Sequence, residues 1–146
     1  MKHLWIRTAV LAVISLLFLG CNRPAPEATT AEAQPEPETL SRTEFAGRVE
    51  NYFEYEPLHA GKASLFRIHL TDMSGGSPVE NAEVTLAVCG KGSGYAVAQT
   101  TAHDGKVTGI YVAELNIPRA GNYDIEFHIK NDKLDERMAL SDFKVE

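Results

Sequence analysis

The residues able to do chemistry in this sequence are few and scattered. Two cysteines, Cys21 and Cys89, and five histidines, His3, His59, His69, His103 and His128, are all the thiols and imidazoles it has. No two histidines stand at the His-x-His or His-Glu-x-x-His spacing that presents a pair of imidazoles to one metal. Soft sulfur donors combined with imidazole suit copper(I). His69, Met73, Cys89 and His103 are therefore the candidate metal set, on the condition that loops at one end of the fold bring them together. The plainer reading is a small apolar core cysteine and solvated or capping histidines. Only Met73 and Met138 follow Met1, so there is no methionine-rich copper segment.

Catalysis has still less to work with. The sequence holds no Gly-x-Ser-x-Gly elbow, no cysteine-histidine nucleophile signature and no dinucleotide glycine pattern. The run Gly90-Lys91-Gly92-Ser93-Gly94 has the glycines of a phosphate loop, but no helical pattern follows it, so it reads as a flexible hairpin. Glu54 and Glu56 alternate with apolar residues and belong to a solvated strand face. A non-enzyme is expected.

The elements that must position these residues follow from composition. The chain has 146 residues, 44% hydrophobic and 23% charged, with net charge −6. One domain is expected, and neither a disordered chain nor a basic nucleic-acid binder. The apolar residues crowd between Thr8 and Gly20, behind the cations Lys2 and Arg7. A cationic start, a short apolar run and a small residue at its end describe a secretory signal peptide over residues 1–20. Removing it takes away two cations and no acid, leaving 12 positive and 20 negative side chains, net −8.

That run ends Phe18-Leu19-Gly20-Cys21, which resembles the lipobox of bacterial lipoproteins. The resemblance implies a diacylglycerol thioether on Cys21 and, after cleavage, palmitate-like acylation of its amine. Two or more acyl chains make a stable anchor, where one is marginal. Asn22 follows the cysteine, and in enteric-type bacteria the lack of Asp there favours the outer membrane. The implied location is the cell envelope, lipid-anchored and facing the periplasm. Residues 21–44 hold four of the seven prolines, Pro24, Pro26, Pro35 and Pro37, among Ala and Glu. Such a segment buries too little apolar surface to order itself and reads as a disordered tether, roughly 70 Å long if fully extended.

From residue 45 the hydrophobic period becomes two. Val49, Asn51, Phe53 and Tyr55 form one inward row. Phe66, Ile68 and Leu70 form the next, followed by Val84, Leu86 and Val88. Tyr111, Ala113 and Leu115 make another, and Tyr123, Ile125, Phe127 and Ile129 the clearest. Each is a strand with one packed and one solvated face, and glycine-rich turn clusters separate them. A weaker strand near Tyr95–Thr101 and a last one over Met138–Val145 bring the count to about seven in about 100 residues. That is the size of an immunoglobulin-like antiparallel β-sandwich, and Gly121-x-Tyr123 has the form of a tyrosine corner. The stretch Asn131–Arg137 reads as a polar hairpin loop. The fold class is all-β, with residues 45–146 as the sandwich.

Within it, Phe53, Tyr55, Pro57, Leu58, Gly61, Phe66, His69, Leu70 and Thr71 resemble the N-terminal β-domain of periplasmic adaptor (membrane fusion) proteins of heavy-metal-type efflux pumps. Pro78-Val79, Gly109-Ile110-Tyr111 and Pro118 to Tyr123 are similar to the same domain and to YtkA-like modules of exported proteins. The resemblance implies a lipid-tethered binding or accessory module whose partners are the membrane and an envelope or efflux complex. The alternatives are a copper carrier and a purely structural lipoprotein. The adaptor's helical hairpin, lipoyl and barrel domains have no counterpart here, so bridging a pump to an outer-membrane channel is not expected. His69 faces away from Phe66 and Ile68, which makes it the matched residue that packing explains least.

Overall fold

A computed structural model of the chain describes residues 38–146. The signal peptide, Cys21 and most of the expected tether lie outside the described residues. Ten antiparallel-paired strands form two sheets, with no helix among the described residues. The strands are β1 (Leu40–Ala46), β2 (Val49–Tyr55), β3 (Ala63–Asp72), β4 (Ser77–Pro78), β5 (Glu83–Gly90), β6 (Ala96–Thr101), β7 (His103–Asp104), β8 (Ile110–Asn116), β9 (Gly121–Lys130) and β10 (Asp135–Val145). The first sheet runs β1-β2-β3-β8-β7, with β4 also paired to β3; the second runs β10-β9-β5-β6.

The period-two pattern drives this arrangement. Val49, Asn51 and Phe53 of β2, Phe66, Ile68 and Leu70 of β3, and Tyr111, Ala113 and Leu115 of β8 turn inward from the first sheet. Val84, Leu86 and Val88 of β5 and Tyr123, Ile125, Phe127 and Ile129 of β9 meet them from the second. An aromatic cluster joins the layers: the Phe53 and Phe127 ring centroids are 4.8 Å apart, and Tyr55 stacks on Phe66 at 5.3 Å. Burying Phe53, Phe66 or Phe127 completely contributes about 1.5–3 kcal/mol each. The Tyr123 hydroxyl donates to the Arg119 carbonyl at 3.0 Å, which fixes the entry to β9 as the Gly121-x-Tyr123 pattern anticipates.

Three details depart from the sequence expectation. Strand β1 begins at Leu40, inside the stretch expected to be tether. It is polar and largely exposed, so it has no alternating signal; a seven-pair ladder with β2 holds it, from Leu40–Tyr55 to Ala46–Val49. Gly47, at φ 53°, supplies the tight turn between them. Secondly, β10 starts at Asp135 rather than Met138. The Asn131 side-chain oxygen accepts the backbone N–H groups of Lys133 and Leu134, closing the loop early. Thirdly, Cys89 does not point into the core. Val84, Leu86 and Val88 set the inward phase of β5, and Cys89, one residue further, falls on the solvent face, half-buried and unpaired.

The flanks of the sandwich are closed unequally. Along one side the chain leaves the first sheet after β2, and Leu58 forms a parallel bridge with Val145. The Glu146 N–H donates to Leu58 O at 2.9 Å, and Ala60 N–H donates to Glu146 O at 2.7 Å. Arg42 of β1 reaches the same seam, its guanidinium 4.8 Å above the Phe143 ring and donating to Ser141 O at 3.0 Å. On the other side β6 pairs with β5 alone.

Candidate functional site: the outer face of the first sheet

Directly opposed residues of paired strands share a face. On the solvent side of the first sheet, the register therefore lines Thr43, Tyr52, His69 and Ile110 in one row across β1, β2, β3 and β8. A second row is Ser41, Glu54, Arg67, Val112 and His103, reaching β7. Tyr52, His69, Ile110 and Val112 are half-buried by their neighbours rather than by any covering element. Exposed Phe45 stands opposite Glu50 in the adjoining row.

His69 is the centre of this face. Its ring meets Tyr52 edge-on, with centroids 5.2 Å apart and planes at 60°. Such a pair contributes about 0.5–1.5 kcal/mol beyond area burial. The imidazole Nε2 lies 3.7 Å from Glu54 Oε2 and has no hydrogen-bond partner, although it is itself shielded from solvent. Glu54 Oε2 is shared with Arg67 Nη1 at 3.5 Å. The result is an aromatic and aliphatic strip beside one cation and one carboxylate. That composition suits recognition of a protein surface, in which aromatic residues and arginine carry most of the contact energy.

The four candidate metal ligands do not converge. His69 and His103 lie on the same face of the first sheet, in adjacent rows, with β8 between them. Met73 sits in the turn after β3, 48% exposed, its N–H donating to Arg48 O at 2.8 Å. Cys89 belongs to the other sheet, between Ala96 on β6 and Asp124 on β9. Among the described residues no group of three or more His, Cys, Asp or Glu side chains is arranged to hold a metal ion. The donor set does not fit a shared copper ion, because spacing along the chain carries no information about which sheet each strand joins.

Two features were not foreseen. Tyr52 as the partner of His69 depends on the β2–β3 register, which only the three-dimensional pairing fixes. Asn51 is fully buried with the apolar residues of its row. The alternation placed it inward, but nothing in the sequence pointed to a buried amide whose carbonyl oxygen has no hydrogen-bond partner. Comparison with known protein families and with curated proteins returns no match for the chain.

Proposed function

We propose that this chain is a non-enzymatic, lipid-anchored binding module of the bacterial envelope. Its sandwich is of immunoglobulin type, and it docks an envelope or efflux protein on the outer face of the first sheet. The anchor is the acylated Cys21, and the residues ahead of Leu40 hold the sandwich off the bilayer. The immunoglobulin reading is supported by the strand order. In the first sheet β2-β3-β8-β7 corresponds to A-B-E-D, and in the second β10-β9-β5 corresponds to G-F-C with β6 beside C. Both the β3-to-β5 and β8-to-β9 connections cross between sheets, and Tyr123 makes the tyrosine-corner hydrogen bond.

The observation that carries the reading is the Tyr52–His69–Ile110 row: aromatic, imidazole and aliphatic groups on a solvent face, with an imidazole nitrogen that makes no hydrogen bond and lies 3.7 Å from Glu54 Oε2. The outer face of β9, with Asp124, Glu126, His128 and Lys130, carries neither a phenol ring nor an aliphatic side chain.

The test places a photo-crosslinking residue at Tyr52 or Ile110 in the full chain, in its native membrane. A discrete adduct with an envelope protein is expected, weakened in a His69→Ala background and absent when the crosslinker is moved to Lys130. Equal labelling from Lys130 and Tyr52 refutes docking on this face. Failure of a Cys21→Ser chain to lose acyl label and membrane association refutes the anchor.

A further inference from the structure

The two outer faces of the sandwich neutralise their acids differently. On the second sheet Glu126 pairs with Arg137 at 2.8 Å, and Asp135 with His128 at 2.6 Å and Lys130 at 3.6 Å. On the first sheet Glu50 and Glu54 flank Tyr52 on the outward side of β2, and Glu114 points outward from β8. Glu56 continues that outward phase past the end of β2, its Oε2 accepting Leu65 N–H at 3.3 Å. Four carboxylates thus share a face whose strands carry a single lysine or arginine, Arg67, already held by Glu54 at 3.5 Å. Among the described residues, Glu50, Glu56 and Glu114 make no ion pair. The face also has relief: His69, Thr71, Pro78, Val107 and Ile110 line a shallow hollow of about 280 Å³. A cavity of about 150 Å³ is enough for a benzene ring.

We infer that the partner of this face is a basic protein surface, on which lysines or arginines surround a projecting aliphatic or aromatic side chain. The inference rests on the docking reading above and names the chemistry of what docks. Docking on the Tyr52–His69–Ile110 row takes the neighbouring carboxylates out of water, and an ionised carboxylate left unpartnered in a dry contact is costly. The described residues supply no cation for Glu50, Glu56 or Glu114, so the partner must bring them. Glu50 and Glu54 stand about 7 Å either side of Tyr52 along the strand, within the screening length of about 8 Å at physiological ionic strength. A guanidinium laid on the Tyr52 ring answers both carboxylates and gains a cation–π contact. The hollow beside His69 and Val107 takes the apolar anchor. The same charges decide against other occupants. A second copy docking face to face would set acid against acid. Residues 22–37 hold Glu27, Glu32 and Glu36 against Arg23 alone, and an anionic bilayer repels the face as well.

The test is photo-crosslinking in the full chain, in isolated native membranes. The crosslinker sits at Thr43, the exposed end of the row, so that Tyr52 and the hollow stay intact. The adduct is expected to fall roughly five-fold in a Glu50→Gln/Glu114→Gln chain, and similarly when salt is raised from about 50 mM to about 500 mM. Glu83→Gln, the same charge change on the other sheet, is expected to leave the yield unchanged; an equal fall there shows a general charge effect and overturns the inference. Peptide mapping of the adduct is expected to place the crosslink in a partner segment of net positive charge. A yield that withstands either the double substitution or high salt, or a crosslinked segment that is neutral or acidic, overturns the basic partner and leaves docking on this face standing. No adduct from Thr43, Tyr52 or Ile110 overturns the docking reading and this inference together. An adduct with a second copy, with residues 22–37 of the same chain, or with lipid overturns the assigned occupant.

Discussion

The side-chain amide of Asn51 donates to the sulfur of Met138 at 3.4 Å across the interior between β2 and β10, and its carbonyl oxygen receives nothing. Both side chains are buried, Asn51 completely. A thioether is a weak acceptor, and a buried oxygen without a donor costs about 1–3 kcal/mol relative to its hydration in the unfolded chain. Asn51→Leu keeps the number and branching of side-chain heavy atoms and removes that cost, with methyl groups bulkier than the amide. Denaturant unfolding is expected to show a gain of about 1 kcal/mol; a loss would mean that the added methyl bulk or an ordered water on the oxygen outweighs the relief.

Tyr111 makes the opposite case, a buried polar group fully used. Its hydroxyl donates to Val79 O at 2.9 Å and accepts from Ala82 N–H at 3.0 Å, tying the segment before β5 to β8. Tyr111→Phe strands both backbone groups and is expected to cost about 1–3 kcal/mol. Burial, with smaller contributions from Asp104 and Glu80, raises this phenol above its ordinary value of 10.0, and the Ala82 hydrogen bond only partly offsets that. The folded state therefore holds its proton longer than the unfolded one. The associated stability is complete below pH 10.0 and is lost as pH climbs through the raised value. The phenylalanine variant should show a shallower alkaline decline in melting temperature than the parent.

On the acid side the relevant group is Asp135. Its hydrogen bond with His128 at 2.6 Å lowers its carboxyl below the ordinary 3.8, helped by the nearby charges of His128, Lys130 and Arg137 and opposed by slight desolvation. A lowered carboxyl contributes stability that is present above the unfolded value and disappears as pH falls through the folded one. Asp135→Asn should therefore narrow the difference in melting temperature between about pH 5 and about pH 2. An unchanged acid limb would show that this exposed pair adds nothing.

The edge-on contact of Tyr52 with His69 is open to a double-mutant cycle. Each single alanine substitution should cost at least the energy of the pair, and the cycle should return a coupling of about 0.5–1.5 kcal/mol. A coupling near zero would remove the idea that Tyr52 holds the imidazole in place.

Arg42 pins β1 to the opposite sheet through Phe143 and Ser141. In Arg42→Ala, amide exchange along Leu40–Ala46 should accelerate about ten-fold or more while the β9 amides keep their protection. Uniform acceleration across both strands would instead mean global destabilisation.

How far the sequence could be read depended on whether burial or pairing made each element. Strands such as β9, whose Tyr123, Ile125, Phe127 and Ile129 all turn inward, are written in the hydrophobic period. So is the outward phase of Cys89, had the alternation of Val84, Leu86 and Val88 been carried one residue further. Strand β1 was invisible because Ser41, Arg42, Thr43 and Glu44 carry no apolar rhythm, and its existence rests on the backbone ladder to β2. The two-residue strands β4 and β7 are too short for any period. At the candidate site, His69 could be found by its facing away from the core, but its relation to Tyr52, Glu54 and Ile110 is a matter of cross-strand register. The scattering of His69, Met73, Cys89 and His103 is likewise a property of sheet membership.

The bridge between Leu58 and Val145 joins an early segment to the end of the last strand, and Ala60 and Glu146 extend it. Closing so long a loop is slow, because its entropy must be lost before its contacts form. A nascent chain that has delivered only β1 to β9 has a bare β9 edge and an uncapped aromatic cluster lacking Phe143. The interval before β10 arrives is thus when this chain is most open to misassembly, and when holding factors would have the most to grip.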